Sequence, residues 1–140
     1  MTSDITIREE CCFGGILLGR VIHFEVGADD PERVARFFEN VFGWKIERWK
    51  GPIPYWLIGT GDRKEPGIDG GIEQRLEPGM SVVNSIDVAD LDETMKMIEK
   101  HGGTIVTQKM DIPGVGVMVY FKDTEGNLHS AMQAYPRERM

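Results

Sequence analysis

Polar and apolar positions alternate along Val21-Ile22-His23-Phe24-Glu25-Val26, with Ile22, Phe24 and Val26 on one side and His23 and Glu25 on the other. A period of two marks a strand with two unlike faces. The period then changes. Asp29 or Asp30 can cap a helix, Pro31 suits its first position and Glu32 its first turn. Val34, Phe37, Phe38, Val41 and Phe42 follow at i, i+3, i+4, i+7 and i+8, a stripe broad enough to cover the apolar face of a sheet. His23 and Glu25 are left pointing the opposite way.

Downstream, Trp44 to Trp49 alternates as a strand, Gly51-Pro52 marks a turn, Tyr55 to Ile58 reads as a strand, and Gly59 to Gly67 is a polar loop. Gly70-Gly71-Ile72-Glu73-Gln74 predicts a fourth strand whose paired glycines permit a bulge or the close approach of another group. Glu77-Pro78-Gly79 is a linker by composition, and beyond it the order starts again. Val82 to Val88 reads as a strand with Val82, Ile86 and Val88 on one face and Val83, Ser85 and Asp87 on the other. Asp90 caps the next helix with Glu93 three residues on; Leu91, Met95 and Ile98 form its stripe, and Gly102 stops it. Thr104 to Gln108, Val115 to Lys122 and Leu128 to Gln133 predict three more strands, separated by turns at Ile112-Pro113-Gly114 and Asp123 to Asn127.

Val26 and Val88 are about 60 residues apart, each followed by aspartates that open a helix, so an internal duplication is the simplest account. With the paired βαβββ order in place, HFEVGADDPERVARFFENVFGW near the start and VYFKDTEGNLHSAMQ near the end resemble the vicinal oxygen chelate superfamily. That superfamily includes glyoxalase I, bleomycin-resistance proteins and extradiol dioxygenases. The resemblance covers Arg20 to about Ala134. It implies an α+β fold in which two tandem βαβββ modules form a curved mixed eight-stranded sheet, with helices on the convex side and a concave ligand cup. The expected organisation is a tail at 1–19, a domain at 20–135 with modules at about 20–76 and 80–135, and a short tail at 136–140.

Metal-using members of the superfamily draw His and Glu ligands from the first and fourth strands of the modules. The resemblance puts those positions at Val21, Val83, Ser130 and Glu73, of which only Glu73 is a strong ligand. A protein without the usual metal and without a cofactor is therefore expected. The alternative is a divalent metal displaced to His23 together with Glu73, or with its strand neighbour Glu25.

The residues expected to line the cup are His23, Glu25, Trp56, Glu73, Ser85, Asp87, Tyr120, Ser130 and Met132. Glu25 and Asp87 occupy equivalent places in the two modules, each just before the terminal valine. Either they form an acid–base pair, or each accepts local hydrogen bonds at a strand end. His23, Glu25 and Asp87 are thus the catalytic candidates, while a purely hydrogen-bonded wall histidine is the plainer reading of His23. Trp56 and Tyr120 are aromatic walls or core, because alternation alone does not fix their faces. His129, of opposite parity to Ser130, points away from the cup.

Composition narrows the partners. With 140 residues and 41% hydrophobic content the chain can bury a core without disulfides or metal. Cys11 and Cys12 are adjacent, a spacing that suits neither a disulfide framework nor a metal site. Sixteen Lys and Arg against twenty-three Asp and Glu give a net charge of −7 with no basic cluster, which argues against nucleic acid and slightly favours cationic ligands. No apolar run approaches the ~20 residues of a membrane span, and no signal peptide is read at the start. The expectation is a cytoplasmic homodimer that binds a small organic molecule in the cup. The alternative is a metal-dependent lyase, isomerase or dioxygenase-like enzyme, with glyoxalase I activity the least expected.

Overall fold

A computed structural model of the chain describes residues 19–75 and 80–136. The expected linker Glu77-Pro78-Gly79, the cysteines and nearly all of both tails lie outside these residues. In order, the elements are β1 (Arg20–Ala28), α1 (Pro31–Phe42), β2 (Lys45–Arg48), β3 (Tyr55–Gly59), β4 (Gly70–Gln74) and β5 (Val82–Asp87), followed by α2 (Leu91–Lys100), β6 (Thr104–Ile105), β7 (Met110–Ile112), β8 (Gly116–Lys122) and β9 (Leu128–Ala134). The chain is α+β, and the strand–helix–strands order recurs as the repeat predicts, with β7 as an extra short strand in the second half. Packing divides it into two compact units, one spanning Val21–Ser85 and the other containing Ile86 onward.

In the first unit the strands run β2-β3-β4-β1-β5. β1 and β4 are parallel, while β2–β3 and β3–β4 are antiparallel. The helix begins where its sequence says it should: Asp30 accepts from the Arg33 backbone N–H at 3.1 Å, Pro31 occupies the first turn, and Gly43 closes the far end at φ 72°. Its buried side packs Ala35 against Val26, Ala28, Ile58 and Ile72, with Phe24, Val34, Phe38, Trp44 and Ile46 around them.

The predicted stripe is corrected here. Phe37, Val41 and Phe42 are 54%, 56% and 61% exposed. Ala35 lets the backbone of α1 approach the sheet, and the contact line follows Pro31, Val34, Ala35 and Phe38, which turns Phe37 and Val41 off the sheet. Phe42 ends the helix and lies near Trp44 at a ring separation of 5.7 Å.

The second unit repeats the logic. Asp90 accepts from the Glu93 N–H at 3.0 Å, and Leu91, Val119 and Ala131 form a core with Val88, Met95, Val117 and Phe121 around it. The strands run β9-β8-β6, with β7 also on β8. The single strand expected at Thr104 to Gln108 is cut short, and β7 replaces part of the expected turn segment. The break has a local cause. The Val106 N–H donates to the Tyr120 carbonyl at 2.9 Å, but the Tyr120 N–H donates to the Thr107 hydroxyl at 3.1 Å, so a side chain stands in for the next ladder carbonyl.

Candidate functional site

Strand register decides which side chains share the face of the first module opposite α1. Glu25 lies beside Gly71, and Gly71 beside Leu57; one row on, Gly27 lies beside Glu73, and Glu73 beside Tyr55. Positions 23, 25, 55, 57, 71 and 73 therefore face one way, whereas Val26, Trp56, Ile58 and Ile72 face α1.

Tyr55 ties this face together. Its hydroxyl is 2.7 Å from His23 Nε2, and the Glu25 carboxyl is near enough to act on it electrostatically. The ring lies over β4, where a Cβ at Gly71 would collide with the tyrosine hydroxyl. The neighbouring glycine serves the other face, because a Cβ at Gly70 would meet the Phe24 ring at 2.7 Å. Trp49 packs edge-on against Tyr55 with ring centroids 6.2 Å apart. The close approach foreseen for the paired glycines is made by these two rings.

The electrostatics follow from burial. Glu25 is 9% exposed, and His23, Tyr55 and Glu73 are half-buried. Burial, followed by the negative charge and close approach of Glu25 and the charge of Glu73, pushes the Tyr55 hydroxyl pKa far above its ordinary value, so the phenol stays protonated. Burial pulls the His23 pKa down, opposed by the charge of Asp69, so its imidazole is neutral at pH 7.

His23, Glu25 and Glu73 are thus brought together, and Tyr55 is the residue that sequence reasoning missed. Trp56 moves to the opposite face: it packs on the α1 core, with the Arg48 guanidinium 4.6 Å from its ring centroid. Adjacent aromatics on one strand must point opposite ways, and the wall position falls to Tyr55 rather than to Trp56. Ser85 is buried and Asp87 is exposed. In the second module Tyr120 pairs with Ser130 and Met118 with Met132 on the face away from α2. Ser130 is sealed, and its hydroxyl finds no partner among the described residues. His129 faces the other way and stacks on Phe121, as its parity predicts.

The donor set does not fit the usual metal of the resembling superfamily. Val21 and Val83 have no donor atom, Ser130 is sealed, and His23 Nε2 is engaged by Tyr55. Among the described residues no three His, Cys, Asp or Glu side chains are grouped so as to hold a metal ion. Nor is any helix among them long and apolar enough to cross a membrane.

With this geometry in hand, known proteins place the chain. Residues 20–129 match the model of the Glyoxalase/Bleomycin resistance protein/Dioxygenase superfamily. The chain belongs to that superfamily. A glyoxylase-like domain-containing protein of Didymella fabae is 33% identical over 122 residues, covering 82% of this chain and 94% of the relative. Solved structures share the superfamily fold at much lower identity. A hypothetical protein of Bacillus halodurans C-125 superposes with TM-score 0.65 at 10% identity, covering 87% of this chain and 99% of the other. Methylmalonyl-CoA epimerase of Streptomyces coelicolor, in complex with 2-nitronate-propionyl-CoA, gives TM-score 0.64 at 12% identity, with 85% and 99% covered. The Mycobacterium tuberculosis epimerase gives 0.62 at 13% identity, with 82% and 87% covered.

Proposed function

We propose that this superfamily member binds a small organic molecule on the helix-free face of its first module, with side-chain and aromatic contacts in place of a metal. The observation that carries the reading is the Tyr55 cluster. A sheet face with no binding task needs no histidine, tyrosine and two carboxylates converging in a half-buried position, since burying polar groups is costly. Few convergent polar groups beside aromatic walls, with shifted pKa values, are what a ligand site requires. Trp49 and Tyr55 offer ring faces and edges, and His23, Glu25 and Glu73 offer acceptors and donors. The charges of Glu25, Glu73 and Asp69 favour neutral or cationic molecules over anions.

The test is a thermal-shift screen of neutral and cationic aromatic compounds in the presence of EDTA. Ligands that raise the melting temperature in wild type, and lose that effect in Tyr55→Phe and Glu25→Gln, support the reading. Hits indifferent to both substitutions, or hits that appear only when EDTA is left out, count against it.

A further inference from the structure

We propose that β7, β8 and β9 carry a separate binding site, a three-methionine seat for a soft monovalent cation, Cu(I), on the face of the second unit away from α2. Strand register places it. Met110 on β7 lies opposite Met118 on β8, and Met118 lies opposite Met132 on β9, so three thioether side chains form one row across three strands. Met118 is 4% exposed, and Met110 and Met132 are half-buried on either side of it. Residues directly opposite on neighbouring strands share a face, with Cβ atoms about 4.5–5.5 Å apart. A methionine sulfur sits two bonds beyond its Cβ on an unbranched chain, so the outer two can swing in over Met118 and all three can meet one ion.

Packing alone does not ask for this row. On the α2 face of β8 the core uses Val117, Val119 and Phe121, the β-branched and aromatic residues that pleated strands favour. The opposite face puts the unbranched methionine at each position of one row instead. The next row holds Ile112, Gly116 and Ala134; two of these lack a long side chain and Ala134 is exposed, so an ion reaches the sulfurs from that edge. The row on the other side holds Tyr120 and Ser130, and among the described residues neither row carries a charged side chain. Neutral, half-buried thioethers are soft ligands, which select Cu(I), whereas carboxylates suit Mg(II) and Ca(II) and imidazole suits Zn(II). The net charge of −7 favours a cation over an anion at such a seat. The row shares no residue with the Tyr55 cluster and does not depend on what that cluster binds.

The test uses the full chain with Cys11→Ser and Cys12→Ser, which removes the two thiols that would also take Cu(I). It is titrated with Cu(I) held by the dye bicinchoninate, in ascorbate and without oxygen. The protein should withdraw a single equivalent from the dye. Carbon-13 NMR should show the methyl resonances of Met110, Met118 and Met132 moving together while those of Met95 and Met97 on α2 stay in place. Zn(II) and Mg(II) at the same concentration should move none of them. Met118→Leu conserves volume and apolar character, so its urea midpoint should stay close to that of the parent. Its Cu(I) affinity should fall by at least about a hundredfold, the upper end of what losing a ligand's supporting contacts costs. Copper that stays on the dye, shifts spread over all the methionines, equal shifts with Zn(II), or an affinity unchanged in Met118→Leu overturns the proposal. If Met118→Leu fails to fold, the methyl shifts in the parent chain decide it alone.

Discussion

The Tyr55 hydroxyl occupies the space in which a side chain at Gly71 would begin. β4 is cut away for a ring that belongs to β3, and the hydrogen bond between Tyr55 and His23 depends on that notch. Gly71→Ala should therefore destabilise the fold by about 1–3 kcal/mol, the usual cost of overpacking. It should also part Tyr55 from His23. Gly61, with nothing within 4 Å of a built Cβ, is the control, and its Ala variant should stay within about 0.5 kcal/mol of wild type. Urea unfolding of both variants checks the first statement and the His23 NMR resonances the second. A Gly71→Ala protein as stable as the control refutes the notch.

Stability should also report on His23. Burial lowers its pKa in the folded state from the ordinary 6.5, so the unfolded chain takes up this proton first as pH falls. Above about pH 6.5 both states are neutral there, and the contribution of the buried imidazole is complete. As pH drops through the depressed folded value, that contribution is lost. The urea midpoint of wild type should thus decline more steeply below about pH 6.5 than that of His23→Gln. Parallel curves for the two proteins rule this out.

The aromatic residues of α1 should divide sharply. Phe38 stacks on Trp44 at 4.6 Å and packs against the module core, whereas Phe37 is more than half exposed. Phe38→Ala should cost about 2–3 kcal/mol, below the full range for a buried Phe because Phe38 is only partly buried. Phe37→Ala should cost less than about 0.5 kcal/mol. Chemical denaturation of the two variants is sufficient, and equal losses would mean that α1 lies on the sheet by a different stripe.

What could be read from the chain was what short-range physics determines. Asp30 and Asp90 announce their helices because the capping bond spans three residues, and the βαβββ repeat emerges once both are seen. Counting in twos puts His23 and Glu25 on one face, and the family resemblance adds Glu73. Which of Tyr55 and Trp56 joins them was not legible, because both are aromatic and only the pairing of Leu57 with Gly71 and Trp56 with Ile72 decides it. The glycine pair did signal a close approach, but not which rings would make it. The width of the α1 contact was misread because Ala35 counts little in any hydrophobic pattern, yet it is the residue that brings the helix down. Thr107 shortened β6 by offering a hydroxyl where a strand offers a carbonyl, which no periodicity reveals.

The turn between β8 and β9 gives the last prediction. Asp123 Oδ1 accepts from the backbone N–H groups of Glu125 at 2.9 Å and Asn127 at 3.0 Å. Oδ2 accepts from the Asn127 amide at 3.1 Å and from His129 Nε2 at 2.9 Å. The His129 bond first, and then the Asn127 and Glu125 donors, hold the Asp123 carboxyl well below its usual pKa. A depressed folded pKa means that this contribution is present above about 3.8 and is lost as the pH falls below it. Asp123→Ala removes every acceptor at once, so amide exchange at Glu125 and Asn127 should quicken and the acid-dependent part of the stability should shrink. Asp123→Asn keeps a carbonyl oxygen that can serve the two backbone donors, but it loses the charge. It should preserve slow exchange at those amides while abolishing the same acid dependence. Hydrogen exchange read beside an acid titration separates the two roles: if Asn behaves like Ala in exchange, the carboxylate charge holds the turn, and if all three proteins behave alike, the turn does not depend on Asp123.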